Sequence, residues 1–103
     1  MMSKVQISTI ARLAEEMIKD WETGDLFLDK AIIDDLRSIA SNANAIDYME
    51  KGFDSKQAQR RLKKIKSLVA EIRKKIDENN LQFEQINKFA IIEQSLGLLN
   101  KRQ

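Results

Sequence analysis

The sequence predicts an all-α protein, a small bundle of about four helices folded as a single domain over residues 1–103. Three observations lead there. The 103 residues include no proline and three glycines, while residues that lose little on entering a helix (Lys, Glu, Ala, Leu, Ile, Gln) are abundant. Ala58, Leu62, Ile65, Val69, Ile72 and Ile76 recur at alternating spacings of four and three, the pattern of one apolar seam on a long helix. Comparable seams lie before and after it. Apolar content of 43% with 33% charged residues suits a folded helical domain and argues against disorder. A chain of this length can just enclose one core unaided.

Ser3, with Gln6 three residues on, resembles a capping box and starts helix 1 near Lys4. Its apolar face is Ile7, Ile10, Ala14, Met17 and Trp21, widened by Ala11, Leu13 and Ile18. The helix is expected to stop at Thr23-Gly24, with Gly24 in the left-handed C-terminal position. Trp21 lies on the seam and reads as a bundle anchor rather than a ligand-stacking residue.

Asp25 or Asp29 can cap helix 2, whose seam reads Ile32, Leu36, Ile39, Ala43 and Ile46, then Met49 and Phe53, with Gly52 closing the element. The run Ser41-Asn42-Ala43-Asn44 competes with helix formation. The seam nevertheless stays in phase across it, so a continuous helix is expected. A break would leave two short helices around a turn lacking the glycine common in helix-turn-helix motifs.

Asp54 followed by Gln57 offers a second capping box and opens helix 3, over about 55–78. This is the longest element, roughly 36 Å for ~24 residues, and Asn79-Asn80 provide a stop and a new cap. Helix 4 is expected from about Leu81 to Asn100. Phe89, Ile92, Leu96 and Leu99 form one stripe beside Leu81 and Ile86, while Phe83, Ala90, Ile91 and Leu98 lie roughly opposite. A helix apolar nearly all round must be buried on more than one face. In so short a chain this makes Phe83, Ile86, Phe89, Ile92, Leu96 and Leu99 the expected surface for self-association or a protein partner. Gly97 weakens the last turn, and Lys101-Arg102 suit a basic C-terminus.

Charge is distributed unevenly. Residues 1–50 carry five basic and ten acidic side chains, a net of −5; residues 51–80 carry ten basic and four acidic, a net of +6; the remainder adds +1. In helix 3 Leu62, Val69 and Ile76 take heptad position a, and Ala58, Ile65 and Ile72 take d. The flanks hold Lys66, Arg73, Arg61 and Lys75, with Gln59 and Leu68 neutral. Self-pairing along this seam would set positive flanks against positive flanks. Helix 3 is therefore expected to pack on the acidic first half, within one chain or across a dimer, where Asp20, Asp35 and Asp47 lie beside the seams. Its C-terminal half self-neutralises through Glu71/Lys75, Arg73/Asp77 and Lys74/Glu78. Lys56, Arg60, Arg61, Lys63, Lys64 and Lys66 in the N-terminal half have no acid at helical spacing. They are the candidate site for an anionic partner or nucleic acid.

The absence of cysteine and histidine excludes disulfides, Cys/His zinc sites, a thiolate nucleophile and histidine general-base chemistry. Gly24, Gly52 and Gly97 are too far apart for a phosphate-cradling loop. Glu15/Glu16 and Asp34/Asp35 point about 100° apart on a helix, so each pair reads as a solvated face rather than a metal or catalytic pair. The start MMSKVQIST has no continuous apolar core, and the longest apolar run, Phe89 to Ile92, is far short of a span. A cytoplasmic protein is expected. The basic stretch has Gln57 and Gln59 but no interleaved aromatic for base stacking, which ranks nucleic acid second as a partner. The sequence reads as a non-catalytic protein-binding regulator or adaptor, inhibitor-like or chaperone-like. It is expected to be homodimeric, with no catalytic residue, cofactor, metal, small-molecule substrate or membrane contact.

Overall fold

A computed structural model of the chain describes residues 4–49, 55–79, 81 and 83–101, the side chains of 83–85 and 98–101 excepted. Four helices make up the fold: α1 (Lys4–Glu22), α2 (Lys30–Asp47), α3 (Lys56–Asn79) and α4 (Phe83–Lys101). The described residues contain no strand. The helices alternate in direction, as the short connections require. Asp47 at the end of α2 lies beside Lys4, Ser8 and Thr9 at the start of α1, Arg61 and Lys75 of α3 meet Asn42 and Asp35 of α2, and Lys66 and Arg73 of α3 face Gly97 and Glu93 of α4.

α1 ends as its sequence dictates. Gly24 has φ +86°, a region that costs a residue with a Cβ. The Gly24 amide donates to the Trp21 carbonyl at 3.2 Å and that of Asp25 to Asp20 at 2.8 Å. These two bonds close a Schellman motif. Trp21 packs partly buried against the core, and its indole N–H donates to the Leu28 carbonyl at 3.0 Å. One side chain thus contributes apolar area to the core and ties the α1–α2 connection to it.

Asp29 occupies the N-cap of α2, with extended backbone (φ −60°, ψ 143°), but its carboxylate makes no capping bond. The helix runs unbroken through Ser41–Asn44 because the competing side chains have other partners. Asn42 Nδ2 donates to the Ser38 carbonyl at 2.8 Å, Asn44 Nδ2 donates to Glu15 Oε1 at 2.8 Å, and Ala43 is fully buried. α2 stops at Asp47, short of the extension through Met49 to Phe53 expected from the seam. An acidic last residue opposes the macrodipole there. Tyr48 caps the end, and the Met49 amide turns back to the Ile46 carbonyl at 3.0 Å. Met49 still packs against the core from the connection. Phe53, Gly52, Ser3 and Asp54 lie outside the described residues.

The N-cap of α3 is Ser55, one residue later than the Asp54 capping box predicts. Its hydroxyl accepts from the Ala58 amide at 3.1 Å, the three-residue offset that satisfies an orphan donor of the first turn. All six seam residues are buried, from Ile65 and Ile72 at 0% exposure to Val69 at 7%. Leu68, a neutral flank in the heptad reading, is buried too. The inward stripe is therefore three positions wide rather than two. At 24 residues α3 is the longest of the four helices. α4 begins at Phe83, two residues after the expected start.

α2 packs on α1 and α3, and α1 also packs on α4. The α3 and α4 backbones stand further apart, so this side is closed by side chains. Each fully buried Ile, Leu, Met or Phe contributes about 1.5–3 kcal/mol, against about 0–1 kcal/mol for a surface ion pair. The core therefore holds the bundle and the ion pairs set its register. No described helix is long and apolar enough to cross a membrane.

Candidate functional site

The α4 stripe is not where its sequence pattern suggested. Phe89 and Ile92 are fully buried, Leu96 is 5% exposed and Ile86 9%, all within the chain's own core. The physical reason is α1, which covers α4 on one side, while α3 reaches it from the other through side chains such as Arg73. The described part of the stripe is therefore covered within one domain. Ile91, at 44% exposure, is the large exposed apolar side chain of α4 among the described ones. The side chains of Phe83 and Leu99 lie outside them.

Two groups of cations stand in contrast. The first joins helices. Lys75 Nζ donates to Asp35 Oδ2 at 3.1 Å, linking α3 to α2, with Glu71 at 3.7 Å. Lys88 Nζ donates to Asp20 Oδ2 at 2.6 Å, linking α4 to α1, with Glu16 at 3.7 Å. Arg73 holds the Glu93 carboxylate of α4 with two donors, its Nε at 3.0 Å and its Nη2, and stands 5.5 Å from the centroid of the Phe89 ring. That distance is within cation–π range. The pKa of each of these cations is raised, chiefly by donation to its carboxylate: Arg73 to Glu93, Lys75 to Asp35 and Lys88 to Asp20.

The second group is the N-terminal half of α3. Lys56, Arg60, Arg61, Lys63 and Lys64 are exposed and Lys66 is half-buried. None of the six forms an ion pair among the described residues. Arg61 alone of them reaches another described helix, donating from Nη1 to Asn42 Oδ1 of α2 at 3.2 Å. The inward seam turns Lys56 and Arg60 outward, Arg61 and Lys64 toward the α2 side, Lys66 toward α4, and Lys63 between the outward face and the α4 side. Of the acids expected to meet α3, Asp35 does so at its C-terminal half, and none forms an ion pair with its N-terminal half among the described residues. Asp35 binds Lys75, Asp20 binds Lys88, and Asp47 lies beside Lys4, Val5, Ser8 and Thr9 of α1, with its Oδ1 buried and unbonded.

Two concavities adjoin the basic half. One, of about 310 Å³, is lined among the described residues by Gln57, Arg60 and Arg61. The other, also about 310 Å³, is the groove between α3 and α4. Lys66, Val69, Ala70 and Arg73 line it from α3, and Glu93, Leu96 and Gly97 from α4. Sequence reasoning did not find this groove. Residues 73 and 93 are twenty apart, and no helical spacing within either element registers one against the other. Arg73 also contacts Asp77 at 3.5 Å, the intrahelical pair that the sequence offers, so the local pattern conceals the longer-range one.

Among the described residues no group of three or more acidic side chains is gathered to hold a metal ion. No protein-family model matches the chain, and no curated protein or solved structure matches it either. What the surface can do therefore rests on its own chemistry: exposed point charges on a rigid helix, next to a shallow apolar groove.

Proposed function

We propose that this protein is a non-catalytic regulator or adaptor that binds an acidic partner protein through the N-terminal half of α3. The observation that carries this reading is the contrast between the two groups of cations. Lys75, Lys88 and Arg73 are all engaged across helix interfaces, while Lys56, Arg60, Lys63 and Lys64 form no ion pair among the described residues. Lys56, in the first turn of the helix, also opposes its macrodipole. The fold tolerates these residues rather than requiring them, and an acidic surface would reverse the penalty. Cytoplasmic residence belongs to the same proposal. So does homodimerisation, with Ile91 as the apolar contact that α4 offers it.

Nucleic acid is the second reading, favoured by the same unpaired cations, which could neutralise phosphates. The groove beside them supports the protein reading, because phosphates gain nothing from Val69, Ala70 and Leu96. Capture from native lysate on wild type and on an Arg60→Gln, Lys63→Gln, Lys64→Gln variant separates the two. A stoichiometric protein released by salt and lost on the variant supports the proposal. Capture that survives the three substitutions overturns it. Steeply salt-dependent retention of DNA or RNA at about 50 mM salt, lost on the variant, would put the second reading in its place.

A further inference from the structure

We infer that the groove between α3 and α4 receives an amphipathic helix of the partner, apolar along one face and acidic along its margin. This rests on the proposed role of the basic half of α3 and specifies what it recognises. α3 and α4 are the neighbouring helices whose backbones do not close on one another. Between them Val69 and Leu96, core residues 7% and 5% exposed, form the floor, and Ala70 is exposed at the rim and supplies the accessible apolar contact.

Gly97 forms part of the opposite wall. A Cβ built there meets nothing within 4 Å, and its φ lies outside the positive range. Among the described residues neither crowding nor backbone conformation requires a glycine, although glycine weakens a helix interior. A second backbone brought close to α4 would make use of it.

Charge identifies the occupant. The upper end of the groove is closed by the Arg73–Glu93 pair, which is internally neutral. At the lower end Lys66 lines the groove with no ion pair among the described residues, and Lys63 precedes it by three residues on the same side of α3. The groove thus offers an apolar middle and a cationic mouth. From Lys66 to Arg73 is seven residues, a rise of about 10 Å, so the occupant lays about two helical turns in the groove and sets carboxylates against Lys66 and Lys63. A helix fits because this recognition mode needs only a groove and anchors at helical spacing, and the described residues offer no sheet edge for strand addition.

The test uses the full isotope-labelled chain and two synthetic helical peptides with the same Leu/Ala face, one flanked by Glu and the other by Lys. The Glu peptide is expected to shift the amides of Val69, Ala70, Leu96 and Gly97 saturably, and the Lys peptide to bind at least about tenfold more weakly. Ala70→Glu, an exposed site whose variant should keep wild-type circular dichroism, should weaken the Glu peptide by about tenfold. Equal binding of the two peptides overturns the inference. So does the absence of groove shifts at millimolar Glu peptide, or shifts confined to Lys56–Lys64. A wild-type dimer that Ala70→Glu makes monomeric would assign the groove to a second copy instead. The two proposals fail separately. If Ala70→Glu leaves capture of the native partner intact while Arg60→Gln with Lys64→Gln abolishes it, the groove inference falls and the basic-face reading stands.

Discussion

Replacing Phe89 with alanine distinguishes a core position from an interface anchor. Phe89 is fully buried, and Arg73 stands over its ring at 5.5 Å. Truncating a buried phenylalanine costs about 3–5 kcal/mol in transfer and cavity terms together. A domain of this length has about 5–15 kcal/mol in total, so the variant should lose a fifth or more of its stability. With a urea m-value of about 1.5 kcal/mol/M, the midpoint should fall by about 2–3 M. The assay is urea unfolding followed by far-UV circular dichroism and by Trp21 fluorescence, repeated at two protein concentrations. Coincident transitions that do not move with concentration are expected for a core role. A loss below about 1 kcal/mol, together with a wild-type midpoint that rises with concentration while the variant's does not, would refute it and return Phe89 to an interface.

The glycines should respond in opposite directions. Gly24→Ala, at φ +86°, should destabilise by about 1–2 kcal/mol, whereas Gly97→Ala, whose Cβ enters open space, should stabilise by about 1 kcal/mol; thermal unfolding of both reads this. The alkaline limb of the stability profile should belong largely to Lys75 and Lys88. Both are held above the ordinary lysine value of 10.5 by hydrogen bonds to Asp35 and Asp20. A raised folded-state pKa gives stability that is full below the unfolded value and lost as pH rises through the folded one. Urea midpoints should therefore decline from about pH 10.5 upward. The decline should flatten in a Lys75→Met, Lys88→Met variant, and an equally steep decline there would count against this assignment.

Helix number, helix type and most of the core were legible in the sequence because they depend on short-range periodicity. The α3 seam, the Gly24 stop and the continuity of α2 each follow from spacings within a single element. The end of α2 was less legible. The apolar phase continues into Met49, which packs on the core without being helical, so periodicity outlasts the helix. Helix 4 misled for a different reason. Its pattern shows that more than one face must be covered, but not which element supplies the cover. Asp20 was read as an acid for α3, yet Lys88 of α4 takes it. Opposite charge identifies compatible partners without choosing among helices. The basic half of α3 was legible as a surplus, and the packing of the other helices explains why it stays one.

The most direct measurement concerns stability rather than binding. Lys56, Arg60, Lys63 and Lys64 are replaced together by Gln, leaving Arg61 on Asn42 and Lys66 beside the groove, and unfolding is compared with wild type in urea. If the fold has no use for these four charges, stability should stay within about 0.5 kcal/mol or rise by a few tenths as the conflict with the macrodipole is relieved. A loss of more than about 1.5 kcal/mol would show that the cations are structural, and would contradict the claim that α3 holds them for a partner.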